Sequence, residues 1–580
     1  MTRTPHPGPL TSLADLFDRQ AAAGEAVGFC LPGGVPLFEA GDEANQLYFL
    51  RAGRLAVKLG DGGPPGGLGL IHPGEAVGEM ALIAGVPHTA DVFALRDSEL
   101  DALPREAFLR ATQAEPGLAL DIARLVLARV HPPAHVEASG SRRVFGFIGV
   151  SPGVRVRAFV DQVAERIRIL GHSVAVVADE TGPDTPEWLT GIEAAHEYVL
   201  YAAEYDEAYW KIVVGRQVDA VVRVGLGSSP PPAGMGVHPS PPAPAAGDLV
   251  LLQDASCAVP RGSAAWTAAL APLRLFHVRA ARQDDLDRLA RVITGRAVGL
   301  VLSGGAARAY AHIGAVRALR ETGVPIDFIG GVSMGAIVGA GIAMGWDDDE
   351  LDRRIRKAFV DSSPVADLTW PMIAMTRGEK VRERLAENFG DRQICDLWLP
   401  LFCGTTNLTT GAYQIDRRGP VREVLRASLS LPGVLPPVTV GEDVLVDGAV
   451  LNNFPADVMR TLHDGPIIGV DVGRGRSIEA REVQVPKSLL KWFLSGEWRN
   501  GPPIVSLLMR AATVTAARDT AVARQETDLL VLPDVDRIEI RNWKAYDPAV
   551  AEGRRAMLAA LAGLDRPVTE LRRGGRRAAQ

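Results

Sequence analysis

The sequence predicts a multidomain α/β protein whose last module is an α/β hydrolase. Three observations carry this: the length, a change of pattern along the chain, and three short segments that fit one piece of chemistry. At 580 residues the chain is too long for one compact domain. A β-rich stretch comes first, and strands alternating with helical patterns follow it. The three segments are Ser303-Gly304-Gly305-Ala306-Ala307-Arg308, Gly331-Val332-Ser333-Met334-Gly335 and Asp447-Gly448-Ala449.

Composition narrows the class. Apolar residues make up 47% and charged residues 23%, enough for several cores. A net charge of −7 with no strongly basic half argues against a nucleic-acid partner. Four scattered cysteines, Cys30, Cys257, Cys395 and Cys403, give neither metal spacing nor a disulfide framework. The first thirty-one residues lack the apolar core of a signal peptide. A cytoplasmic protein is expected, with peripheral contact at the inner membrane face as its relation to lipid. Phe328 to Trp346 runs nineteen residues without a charge, yet holds six glycines and the serine segment. A buried strand-turn-helix is expected there rather than a membrane span.

The first module is expected over 10–135. Gly41-Asp42 turns into the strand Leu47-Tyr48-Phe49-Leu50, and Arg51-Ala52-Gly53-Arg54 reads as a hairpin into Leu55–Leu59. Gly74 to Leu82 follows, and a helical pattern from Phe108 to Ala123 closes the unit. A middle α/β domain is expected over 142–295. Its strands fall at 144–150, 173–177, 218–224 and 249–252, with a helix over 160–169 and a Pro-rich insertion at 228–247. The hydrolase module spans 297–565, and 566–580 is a basic tail expected to be disordered.

In the hydrolase module, Ala297–Leu302 is a buried strand, turned by small residues into a helix over Tyr310–Glu321. Small residues let the backbone N–H groups of Gly304, Gly305 and Ala306 converge on one spot, as an oxyanion hole requires. Arg308 either orients that loop or draws an anionic head group, or it is a capping or ion-pair residue. A dinucleotide fingerprint would need glycine at 306 and 309, where both residues are alanine. Strand Ile326–Gly331 leads into Ser333, with Gly331 and Gly335 allowing a sharp bend and close packing of the helix Met334–Met344. Serine needs a base. His312 lies inside the helix after the oxyanion turn and is expected to be packed. Asp447, on the Asp447-Gly448 turn after Leu445-Val446, is the better candidate, with a turn-stabilising role as its bland reading. No cofactor and no metal are expected.

The Gly41-Asp42 turn, Arg51-Ala52-Gly53 and Gly78-Glu79-Met80-Ala81-Leu82 resemble the β-roll cyclic-nucleotide-binding domain. The resemblance implies backbone donors and Glu79 around a cyclic phosphate ribose, and an arginine before a small-residue pair. His88 stands in that place, so Gly78, Glu79 and His88 make a weak site and a cyclic nucleotide partner is uncertain. The three hydrolase segments, with Arg426–Gly433 and Asn452–Asp457, resemble the patatin-like phospholipases. The order of modules is similar to the neuropathy target esterase branch. That implies a lipid substrate, lysophospholipid or phospholipid, hydrolysed by a Ser333–Asp447 dyad. Ser303, Ala306 and Ala309 stand where the family prefers glycine, and a catalytically silent, regulatory patatin domain is the rival. An amphipathic aromatic stretch, Leu489 to Trp498, is either a bilayer contact or a packed lid.

Overall fold

After a first helix, Thr11–Ala22, two long strands dominate the N-terminal module because apolar residues alternate along them. In the strand Ala90–Pro104 burial alternates almost residue by residue, and Gln46–Leu59 pairs with it antiparallel along nearly its whole length. The computed structural model describes residues 11–59, 68–114, 143–179, 186–233, 247–361, 367–370, 373–473 and 516–571. The chain divides into two compact units, residues 1–225 with 231–249, and residues 226–230 with 250–580.

In the first unit, six strands form an antiparallel sheet. The hairpin expected at Arg51–Arg54 does not form. Gln46–Leu59 is one strand, and its register slips between Leu50 and Leu55. Gly53 has φ 97°, and a Cβ there would lie 2.3 Å from Ser98 Oγ. The glycine therefore serves a bulge in a continuous strand, where extra residues are accommodated without reversing the chain. A six-residue helix, Glu79–Ala84, follows Ala76–Val77. The closing helix is described over Arg105–Ala114; its expected continuation to Ala123 lies outside the described residues. Four parallel strands follow in the order Ala220–Leu226, Val144–Gly149, Tyr198–Ala203 and Val174–Val177. They are apolar on both faces, as covered parallel strands are.

The second unit is built on an eight-stranded sheet. Five strands run parallel in the order Leu401–Asn407, Phe328–Val332, Gly299–Leu302, Ile467–Val470 and Leu529–Val531. Asp443–Asp447 joins the Leu401–Asn407 edge antiparallel and carries Val438–Val440 beyond it. Ala412–Asp416 also pairs antiparallel with Leu401–Asn407. Gly299–Leu302 and Phe328–Val332 are wholly buried, and helices Ala311–Glu321 and Met334–Ala343 pack their apolar residues into the same core. A 3-10 turn, Ala306–Tyr310, precedes the first of these helices, so the glycine turn is shorter than the sequence suggests. Residues 234–246 of the Pro-rich insertion expected at 228–247, the aromatic stretch at 489–498 and the arginines of the basic tail at 572–577 lie outside the described residues.

Candidate active site

Ser333 stands between the strand Phe328–Val332 and the helix Met334–Ala343, with φ 55° and ψ −128°. Among the described non-glycine residues, positive φ occurs at Ala271, Ala306 and Ser333. Two of those three belong to the segments singled out for chemistry. Such backbone costs on the order of 1–3 kcal/mol and survives only where its surroundings dictate it. Here they do. A Cβ on Gly331 would lie 2.8 Å from the Ala336 nitrogen, and one on Gly335 would lie 2.5 Å from the carbonyl oxygens of Leu302 and Ser303. The elbow thus seats directly on the strand end that carries the glycine turn. A Cβ on Gly304 would come 3.2 Å from the Ser333 Cβ, so the two segments touch.

Asp447 arrives by register rather than by chain direction. Val332 pairs with Gly404, and the next residue of that strand, Thr405, pairs with Asp447. Ser333 and Asp447 therefore stand level on either side of one strand. The Ser333 hydroxyl lies close enough to the Asp447 carboxylate to favour its charged form. Asp447 is 1% exposed, and its Oδ1 accepts the Ala449 N–H at 2.9 Å. Burial pushes its pKa up to about 7, against the pull of the Ala449 N–H and the Ser333 hydroxyl. Loss of hydration penalises the carboxylate more than two donors relieve it. Gly448 is needed behind it: a Cβ would stand 2.5 Å from the Gly404 oxygen.

The oxyanion assignment changes in one member. The Gly304 N–H donates to the Asn453 carbonyl at 3.3 Å, so it is engaged, while Asn453 Nδ2 donates to the Gly304 carbonyl at 3.2 Å. Among the described residues, the backbone N–H groups of Gly305 and Ala306 have no acceptor. Neither does that of Met334, in the first turn of the helix after Ser333, where orphan donors are expected. Met334 was not singled out from sequence, although the residue after an elbow nucleophile is a standard donor position.

Arg308 is pinned. It is 7% exposed, and its Nε and a terminal nitrogen donate to the carbonyls of Ile538, at 2.8 Å, and Asp536, at 3.2 Å. His312 is fully buried and donates through Nε2 to the Ser303 carbonyl at 2.8 Å. Burial drives its pKa down to about 4. It is a neutral brace of the glycine turn.

Sequence reading missed Ser428 as a functional residue, though it lies in a quoted landmark. Its hydroxyl accepts the Ser333 N–H at 2.9 Å and donates to the Gly404 carbonyl at 2.8 Å. Two residues on, the Ser430 carbonyl accepts the Asp447 N–H at 3.0 Å.

In the other unit, Glu79 is 2% exposed and His88 6%. The His88 ring stacks on Phe38 with centroids 3.6 Å apart, and the His88 backbone N–H donates to the Asp42 carbonyl at 2.9 Å. A Cβ on Gly78 would come 3.4 Å from the His88 ring. Burial lowers the His88 pKa.

Residues 300–460 match the family model of patatin-like phospholipase, and residues 30–115 match that of the cyclic nucleotide-binding domain. An uncharacterized NTE family protein of Mycobacterium tuberculosis is 32% identical over 544 residues, which covers 90% of each chain. The chain belongs to the NTE family. Patatin-like phospholipase domain-containing protein 6 of Homo sapiens is 27% identical over 89% of this chain and 43% of that protein. Lysophospholipase nte1 of Neosartorya fischeri is 27% identical over 89% of this chain and 40% of its own length. This NTE-family chain thus has an N-terminal cyclic nucleotide-binding domain and a C-terminal patatin domain. Ser333, Asp447, Ser428 and the glycine turn all fall inside the patatin match. Among the described residues, no helix is long and apolar enough to cross a membrane.

Proposed function

We propose that the patatin domain hydrolyses acyl esters of lysophospholipids or phospholipids through a Ser333–Asp447 dyad. The observation that carries this reading is the strand register that sets Ser333 beside Asp447, a buried carboxylate whose pKa is lifted to about 7. A carboxylate near the operating pH takes a proton and gives it back with comparable ease. Ser333 Oγ attacks the acyl carbonyl and its proton passes to Asp447. The C–O bond to the lipid alcohol then breaks, and Asp447 protonates the departing oxygen. Water, deprotonated by Asp447, attacks the acyl-serine and releases the fatty acid. The negative charge on the carbonyl oxygen is met by the N–H groups of Gly305 and Ala306, joined by Met334. Each such donor is worth roughly 3 kcal/mol of barrier. The strained elbow speaks against a silent, regulatory patatin domain, because a scaffold without turnover has no use for φ 55° at a serine.

A fluorophosphonate probe tests the nucleophile, and a panel of lysophospholipid and diacyl substrates tests the class. Labelling of the wild-type chain that is lost in Ser333→Ala, with hydrolysis lost in both Ser333→Ala and Asp447→Asn, is expected. Turnover by a folded Ser333→Ala protein would refute the dyad.

A further inference from the structure

The second unit holds a cavity of about 390 Å³ that ester hydrolysis leaves without a task. That volume falls within the range of small-molecule sites. The cavity lies between residues 272–275 and the start of the strand Leu401–Asn407, and residues 415–418 complete its lining. The dyad belongs further along that strand, where Val332 pairs with Gly404 and Asp447 with Thr405. Neither Ser333 nor Asp447 lines the cavity.

Its walls are largely aliphatic. Leu275, Ile394, Leu397, Leu399, Leu401 and Ile415 line it, and Ile415 is 41% exposed. Cys395 adds a neutral thiol, since burial, with Asp396 nearby, pushes its pKa up to about 11. No aromatic ring is among the lining residues, so a nucleobase would find nothing to stack on. A flexible alkyl chain loses nothing by that.

The polar part is cationic. Arg417 and Arg418 both line the cavity. Arg417 donates to the Leu273 carbonyl, which ties its two sides together. Arg418 is exposed, and among the described residues its guanidinium makes no hydrogen bond or ion pair. The same holds for Arg261 and Arg392. Burial and the like charge of Arg261 hold the Arg392 pKa below its ordinary value, so positive charge is concentrated there. The neighbouring carboxylates are already engaged. Asp416 accepts Gln414 Nε2 at 2.6 Å and Thr405 Oγ1 at 2.7 Å. Asp396 accepts the Ser263 N–H at 3.0 Å, and Asp391 and Glu423 both pair with Arg422. Unpaired guanidiniums beside an apolar hollow call for an anion that carries its own hydrocarbon.

We propose that this cavity binds a single-chain anionic amphiphile, its alkyl tail against the Leu275–Ile415 walls and its carboxylate or phosphate at Arg418. Identifying that ligand with the fatty acid released at Ser333 rests on the esterase reading above; binding itself does not.

Calorimetry on the full chain with decanoate and decanol tests the site. Decanoate should bind at least about tenfold more tightly than the uncharged alcohol, because only it pairs with a guanidinium. Arg418→Ala and Ile415→Glu should each weaken decanoate about tenfold or more, the first by removing the cation and the second by setting a charge in the apolar wall. Both should keep the wild-type Tm and the wild-type turnover of a water-soluble short-chain ester. Decanoate binding unaltered in both variants would overturn the proposal, as would decanol binding as tightly as decanoate. Equal loss of soluble-ester turnover would also overturn it, by placing the decanoate at the dyad. Decanoyl lysophosphatidate, titrated into Ser333→Ala so that none is consumed, identifies the anion: whichever ligand binds more tightly and is weakened by the same two substitutions is the one the site takes. The two readings fail separately. Decanoate binding by a wild-type chain that hydrolyses no ester would sink the esterase and leave the cavity site standing, and hydrolysis without decanoate binding would do the reverse.

Discussion

Ser428 and Ser333 are ninety-five residues apart, and the hydroxyl of the first accepts the backbone N–H of the second at 2.9 Å. Ser428 is fully buried and simultaneously donates to the Gly404 carbonyl, so it ties the elbow to the strand that separates Ser333 from Asp447. Ser428→Ala leaves a buried N–H without an acceptor, at about 1–3 kcal/mol. Because the elbow is strained, the loss is expected to relax Ser333 away from Asp447. Turnover should fall roughly ten- to a hundredfold with KM little changed, measured on a soluble ester. An unaffected kcat would mean that Gly331 and Gly335 alone hold the elbow.

The buried carboxylate makes two pH predictions of opposite sense. As the proton acceptor it must be ionised, so turnover should climb with pH and level off above about 7. Stability should move the other way. The folded group holds its proton up to about 7, against the ordinary 3.8. Its contribution to stability is therefore full below 3.8 and is lost as pH rises through 7. Asp447→Asn, neutral at every pH, should be inactive yet melt higher than wild type at pH 8 and show no such decline. Profiles of kcat and of Tm against pH measure both, and an Asp447→Asn protein less stable than wild type at pH 8 would contradict the burial argument.

Gly335 and Ala306 predict opposite outcomes for small changes. Gly335→Ala puts a methyl group 2.5 Å from two backbone oxygens, which neither strand end can yield without moving the glycine turn. Loss of ester hydrolysis and a lower Tm are expected. Ala306 already sits at φ 48°, where a side chain costs on the order of 1 kcal/mol. Ala306→Gly should raise Tm by a few degrees without lowering kcat. A destabilised Ala306→Gly protein would show that the alanine methyl packs more usefully than its backbone is strained.

For the N-terminal domain, the expected result is no cyclic nucleotide binding. His88 is held against Phe38 by stacking, and burial keeps its ring neutral, so it offers the cyclic phosphate no charged fork. Millimolar cyclic AMP or cyclic GMP should leave the Tm of the full chain unshifted. A saturable rise would reveal a site organised by other residues, since any ligand of the folded state stabilises it by mass action.

The elbow, the glycine turn and the Asp-Gly turn were legible because each has a local backbone reason that the sequence displays. Ser333, Ala306 and Gly448 are read from neighbours one or two residues away. Partners fixed by register are not local. Asp447 lies on a strand antiparallel to its neighbour, so the order of the chain alone does not show that it stands level with Ser333. Gly304 looked like an oxyanion donor until its N–H met Asn453, 149 residues away. Gly53 looked like a hairpin turn because a glycine at positive φ serves bulges and turns alike; only the pairing of both flanks with Ala90–Pro104 decides between them.

Arg308 supplies the remaining prediction. From sequence, orienting the loop or drawing a head group stood evenly against a capping or ion-pair role, and the structure points its guanidinium at the carbonyls of Asp536 and Ile538. The same stretch receives the Ala307 N–H at Ile540, so the oxyanion turn and the 536–540 segment form one clamp. Charged donors on carbonyls are worth about 1.5–3 kcal/mol each, and a lysine cannot span both. Arg308→Ala and Arg308→Lys should therefore lower Tm and kcat together. The ratio of kcat/KM between anionic and zwitterionic lysophospholipids should stay as in wild type. A changed ratio at unchanged Tm would mean that the guanidinium serves the substrate's head group and that the clamp is held by backbone alone.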